Sequence, residues 1–259
     1  MAYRTILVDD NPPVRTITLN RPERRNAMTQ AMRSELISAF EDIASSDCRV
    51  LILTGAGDAF CSGLDLSELE SLHGRASSDH RRDAEQVARL FTTLYELPIP
   101  TIAAVRGAAI AGGTGLAMIC DFTLANSSAK FGFTEVCIGF VPALVWAFLS
   151  LQAGEKVCRD LLLTGRFFGA DEAKRIGLVN DVVATDELMA RARNLAESLL
   201  ANSSQSMRAT KQLLADQNRS RLQSAITLAL EANEESRSTS DFHEGVSAFL
   251  EKRKPLWRK

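Results

Sequence analysis

Two rhythms run through the apolar positions of this chain. Val14, Thr16, Thr18 and Asn20 alternate with Arg15, Ile17 and Leu19, which predicts a strand. The run Thr5 to Val8 predicts another, with Asn11-Pro12-Pro13 as the turn between them. Thr29 is placed to cap a helix in which Met32, Leu36, Ile37, Phe40 and Ile43 recur at helical spacing. Val50-Leu51-Ile52-Leu53 then reads as a buried strand ending in the turn Thr54-Gly55-Ala56-Gly57.

The polar stretch from Ser71 to Asp83 predicts a loop or a loosely packed helix start, after which Val87, Leu90, Phe91 and Leu94 form a helical stripe stopped by Pro98 and Pro100. Thr101 to Val105 is a second buried strand, and Ala111-Gly112-Gly113-Thr114-Gly115 is a turn opening directly into a buried helix. Strands follow at Phe122 to Ala125 and around Phe131. From Pro142 onward the pattern is nearly all helical, with helices expected near 186–201, 203–217, 219–236 and 241–250. The chain thus reads as one α/β unit, a core over 1–180 with a helical extension over 181–259 that serves self-association or covers the site.

Composition narrows the chemistry. The 259 residues carry 30 Lys+Arg against 32 Asp+Glu, a net charge of −2, which argues against a nucleic-acid partner. The one basic cluster is the tail Lys252, Arg253, Lys254, Arg258 and Lys259, a solvated end or a contact for a small anion. Five cysteines without a C-x-x-C pair give neither a disulfide framework nor a zinc site and suit a reducing cytoplasm. Three scattered histidines leave no triad or metal cluster, and no segment reads as a signal peptide or membrane span.

What remains are two glycine turns and one carboxylate. Phe60-Cys61-Ser62-Gly63-Leu64-Asp65 and Ala111-Gly112-Gly113-Thr114-Gly115 each follow a strand and precede a helix, so their free N–H groups can face an anion. Two such groups converging on one oxygen make an oxyanion hole, although glycine turns are also common as plain turns. Neither turn has the Walker ending or the G-x-G-x-x-G spacing. Glu135 stands among Phe133, Val136, Ile138 and Phe140, where desolvation would raise its pKa toward neutrality; the pattern fits a structural ion pair equally well. Asp65 and Asp121 read first as partners for nearby backbone, Cys61 and Cys120 as small buried apolar residues, and Trp146 and Phe148 as helix core or pocket lining.

In order along the chain stand Arg25-Asn26-Ala27-Met28, Leu53 to Gly57 with Ala59 to Asp65, Pro100 to Gly107, Gly112-Gly113 with Cys120-Asp121, Lys130 through Glu135 to Gly139 and Pro142, Leu162 to Arg166, Ala173 to Val179, and Glu244-Gly245 with Ala248 to Arg253. On these motifs the chain resembles the enoyl-CoA hydratase/isomerase, or crotonase, superfamily. The resemblance implies a spiral of ββα units with carboxyl-terminal helices that build trimers, often paired into hexamers. It also implies an acyl-CoA thioester as substrate, coenzyme A being part of that substrate and no cofactor or metal being needed. The thioester oxygen would be held by the N–H groups of Leu64 and Gly112, with Glu135 as acid/base. Coenzyme A would lie across Arg24, Arg25, Ala27, Ser62, Asp65 and Leu66, beside Gly115 and Thr134 of the acyl site, with Phe249 and Lys252 reaching in from a neighbouring subunit. Typical hydratases of the family carry a second glutamate where this chain has Gly115. With Thr134-Glu135-Val136 and Val141-Pro142-Ala143, that glycine is most similar to branched-chain hydratases of the methylglutaconyl-CoA and carboxygeranoyl-CoA type. Hydration is therefore expected first, Δ3,Δ2 isomerisation second and decarboxylation third, with a non-catalytic coenzyme A binder as the alternative of a different class.

Overall fold

The computed structural model describes residues 3–71, 74 and 76–257. Strands β1 (Ile6–Asn11) and β2 (Val14–Leu19) form an antiparallel hairpin, as the alternation predicted. Helix α1 (Gln30–Glu41) is capped by Thr29, whose Oγ1 accepts from the Met32 N–H at 3.2 Å. A repeating unit then begins. Strand β3 (Val50–Gly55) is followed by the short β4 (Ala59–Cys61) and by helices α2 (Leu66–Ser71) and α3 (Ser77–Tyr95). Strand β5 (Thr101–Val105) is followed by the short β6 (Ala108–Ile110) and α4 (Gly112–Ile119). Strand β7 (Phe122–Asn126) is followed by the short β8 (Lys130–Gly132), a 3-10 turn at Glu135–Ile138 and α5 (Ala143–Gln152).

In each unit the long strand joins one sheet and the short strand another. Among the described residues the first sheet runs β1-β2-β3-β5-β7-β10, with β10 (Asp181–Val183) at its edge, and is parallel from β2 onward. The second runs β4-β6-β8-β9, with β9 (Phe167–Gly169) antiparallel to β8 and the first three strands parallel. This is the ββα spiral that the resemblance implies. The continuous apolar runs of β3 and β5 follow from burial on both faces. Val50, Ile52, Ile102 and Ala104 face α8 (Leu188–Leu200), while Leu51, Leu53, Ala103 and Val105 join the main core.

Several expectations need correcting. The region after Pro142 is nearly all helical, as expected, but besides α6 (Glu155–Thr164) and α7 (Ala170–Arg175) it supplies β9 and β10, unforeseen because three residues each are too few to show a period. The first sheet therefore takes its last strand from beyond residue 180. The two helices expected around 203–236 are one helix, α9 (Ser204–Arg237), because its middle lacks glycine and proline and Ala215, Leu222 and Ala225 bury one face of it. Helix α10 (Ser240–Leu250) closes the chain. The expected loose segment at 71–83 is helical from Ser77, and His73 within it lies outside the described residues, as do Arg258 and Lys259 of the tail.

Candidate active site

Parallel strands β4, β6 and β8 lie side by side with Cys61 opposite Ala109 and Ile110 opposite Gly132. Their carboxyl ends therefore emerge together, about 5 Å apart from strand to strand. Three residues past Cys61 is Leu64, three past its partner Ala109 is Gly112, and four past Phe131, the partner of Ala109, is Glu135. All three line one mostly apolar cavity of about 400 Å³.

The two turns are held independently. Ser62 N–H donates to the Arg25 carbonyl, Met28 N–H to that of Gly63, and Asp65 N–H to that of Met28, at 2.8–3.1 Å. Asn26, fully buried, fastens the same segment: Oδ1 accepts from the Arg21 N–H, and Nδ2 donates to the carbonyls of Ala56 and Ala59 at 2.9 and 2.8 Å. The second turn is pinned by Ala111 N–H donating to the Gly132 carbonyl at 2.6 Å. Among the described residues, neither the Leu64 nor the Gly112 N–H has an acceptor. Gly63 adopts φ +92°, and a Cβ there would stand 3.0 Å from the Ile110 carbonyl oxygen and 3.5 Å from the Gly112 nitrogen, so the two turns touch. A Cβ on Gly113 would meet the Cys61 carbonyl oxygen at 2.2 Å. Glycine at both positions is what allows the two free N–H groups to approach one another.

Glu135 is 7% exposed, and its Oε2 is buried without a hydrogen-bond partner among the described residues. Burial pushes its carboxyl up from 4.5 to about 7, opposed by a backbone hydrogen bond. Among the described residues Glu135 forms no ion pair, the alternative read from sequence. Gly115 lies buried one turn into α4, outside the cavity lining. A Cβ there would stand 2.8 Å from Val145 Cγ1 and 3.1 Å from Phe91 Cζ, so the volume a second glutamate needs is filled by hydrocarbon.

The other expected residues divide. Arg25, Ser62, Leu66 and Thr134 line the cavity, and Phe249, 59% exposed, lines it in its own chain. Arg24 is exposed, Ala27 is buried, and Lys252 is exposed just past α10; none lines the cavity. Asp65 also stays outside, accepting from Arg21 Nη1 at 3.0 Å and from the Ser67 N–H. Asp121 holds Thr101 and Lys211, a structural role. Burial pushes the Cys61 and Cys120 thiols up to about 12, which leaves them no thiolate character at neutral pH. Phe148 is helix core, edge-on to Phe91 at 5.8 Å, and Trp146 packs against that core. In the tail, Arg253 is committed to Glu244 and Glu251. Asn26, legible in sequence only as part of a motif, and Asn233, a lining residue of α9 beside Glu231, Glu234 and Glu235, are contributors that the sequence reading did not assign.

Comparison with known proteins agrees with this geometry. The model of the enoyl-CoA hydratase/isomerase family matches residues 9–259. The chain belongs to this family. A putative enoyl-CoA hydratase of Thermus thermophilus is 43% identical over 93% of this chain and 96% of its own. A short-chain-enoyl-CoA hydratase of Clostridium acetobutylicum is 34% identical, covering 98% and 97%. Among solved structures, an enoyl-CoA hydratase/isomerase from Xanthobacter autotrophicus Py2 superposes with a TM-score of 0.90 at 31% identity, over 96% of this chain and 94% of that one. Among the described residues, no helix is long and apolar enough to cross a membrane.

Proposed function

We propose that this chain is an enoyl-CoA hydratase acting on an acyl-CoA thioester through a stabilised enolate. One observation carries the reading: Glu135, whose Oε2 has no partner among the described residues, shares an apolar cavity with the Leu64 and Gly112 N–H groups, which have no acceptor among those residues. The hydratase names of relatives up to 43% identical support it.

The two N–H groups would hold the thioester oxygen, and donors of this kind each contribute about 3–4 kcal/mol as negative charge builds on that oxygen. Ionised Glu135 takes a proton from water as the water oxygen bonds to Cβ, and the alkene electrons move onto the thioester as an enolate. Glu135 then returns the proton to Cα, so the carboxylate is regenerated and one water has been added. A pKa of about 7 suits a group that must accept and release a proton in one cycle.

Coenzyme A, part of the substrate, would cross Arg24, Arg25, Ala27, Ser62, Asp65 and Leu66, with Thr134 lining the acyl site and Gly115 packed behind its wall under Val145 and Phe91. Phe249 would bound the substrate in its own chain, whose cavity it lines, and Lys252, outside that lining, would serve a neighbouring subunit of a trimer or dimer of trimers, to which the exposed apolar Leu163, Phe167, Leu213 and Leu214 are suited. The reading requires no cofactor or metal, and five unpaired cysteines suit a cytoplasmic enzyme.

A second reading, Δ3,Δ2 isomerisation, is favoured by the filled volume at Gly115, because one carboxylate suffices to shuttle a proton between Cα and Cγ without water. Incubation with 2-enoyl- and 3-enoyl-CoA in heavy-oxygen water separates the two. Label at Cβ of a 3-hydroxyacyl product is the outcome expected for a hydratase; a shifted double bond free of label overturns that reading in favour of the isomerase.

A further inference from the structure

The cavity wall formed by α9 carries polarity that the proton transfer does not use. Asn233 is 3% exposed and lines the cavity. Its Oδ1 accepts from Arg237 Nε at 2.8 Å. A guanidinium only donates, so this bond fixes the orientation of the amide, and Nδ2 is left without an acceptor among the described residues.

Behind it lies an unbalanced charge. Arg237 is 1% exposed and Arg33 2%, and both lean on the single carboxylate of Asp83, Arg237 through Nη2 at 2.7 Å and Arg33 in a close ion pair. Burial and the Arg237 charge hold the neighbouring His80 below its ordinary range. Glu234, next on the helix, is turned to Ser77 and Arg81. Among the described residues two buried cations therefore share one anion, and Arg237 Nη1 is buried without a partner. An uncompensated buried charge of this sort is costly, and a bound anion relieves it. Arg237 also lies over the ring of Phe140, itself a lining residue, with Cζ 5.6 Å from the centroid.

We propose that Asn233, backed by Arg237, is a carboxylate subsite in the acyl cavity, and that the enzyme selects thioesters whose acyl chain ends in a carboxylate. Asn233 Nδ2 donates to that carboxylate; Arg237 positions the amide and supplies the positive field. This rests on the acyl-CoA reading above for what fills the cavity, but not on which reaction follows.

Calorimetric titration tests it with saturated ligands that need no turnover: glutaryl-CoA against pentanoyl-CoA, and adipyl-CoA against hexanoyl-CoA. Each pair differs only in having a carboxylate or a methyl at the chain end. The acidic member should bind at least tenfold tighter in one pair; equal or weaker binding in both overturns the proposal. In Asn233→Leu the ratio should collapse to near one, and in Asn233→Asp, which keeps an acceptor for Arg237, it should invert. A ratio that survives both substitutions, or a loss of affinity equal for both ligands of a pair, assigns Asn233 a purely structural role and also overturns it. If no enoyl-CoA is hydrated while the acidic preference persists, the hydratase reading fails and the subsite stands.

Discussion

Two walls of one cavity have been built in opposite ways. On the β8 side a carboxylate, Glu135, is buried with one oxygen unpaired. On the α4 side, where the family's typical hydratases carry their other carboxylate, Gly115 lets Val145 and Phe91 close in until a methyl group would barely fit. Burial leaves Glu135 desolvated, and desolvation lifts its pKa to about 7. Val145 and Phe91, which fill the space over Gly115, line the same cavity as that carboxylate.

Removing the surviving carboxylate has the largest expected effect. Glu135→Gln should lower kcat/KM for crotonyl-CoA by about 10²–10⁴-fold, the usual span for a general acid/base, while the two turns still bind the thioester. Turnover close to that of the parent would take Glu135 out of the mechanism.

The same substitution should make the fold more stable. The folded-state pKa of Glu135 is raised, from 4.5 to about 7, so ionising it opposes folding. The penalty is absent below pH 4.5, grows as pH rises between those values and reaches about 3 kcal/mol above pH 7. Urea unfolding of Glu135→Gln against the parent should show that gain at pH 8 and none at pH 4; a gain independent of pH would mean that burial is not what raises the pKa. The activity of the parent enzyme should follow the complementary curve, falling tenfold per unit below about pH 7, since the ionised form accepts the water proton.

Rebuilding the missing wall is the smallest change. Gly115→Glu should destabilise by about 1–3 kcal/mol through overpacking against Val145 and Phe91. Adding Val145→Ala should recover part of this in thermal unfolding and move the acid limb of the pH profile upward, because a second carboxylate repels the charge on Glu135. An unmoved limb would show that position 115 does not communicate with Glu135.

Much of this was legible in order of sequence range. The Thr29 cap, the β1–β2 turn and the strand at Val50 to Leu53 depend on neighbours a few residues away, and each appears as the local pattern predicts. The short strands β4, β6, β9 and β10 have too few residues to carry a period and exist only through pairing with distant partners. The break expected in α9 failed for a related reason: polar residues near Asn218 resemble a turn, but Leu222 and Ala225 bury one face and keep the helix continuous.

The sequence by itself determined the α/β order, the two glycine turns that a close backbone approach requires, and an isolated glutamate in an apolar stretch. Those are properties of residue type and short spacing. Tertiary structure decided that Leu64, Gly112 and Glu135 leave neighbouring parallel strands at the same end, that Val145 and Phe91 occupy the space over Gly115, and that Asn233 and Arg237 bring an unbalanced charge to the cavity wall. Each depends on segments tens to more than a hundred positions apart, whose meeting is set by sheet register and core packing, and desolvation acts on a carboxylate only once that packing has excluded water.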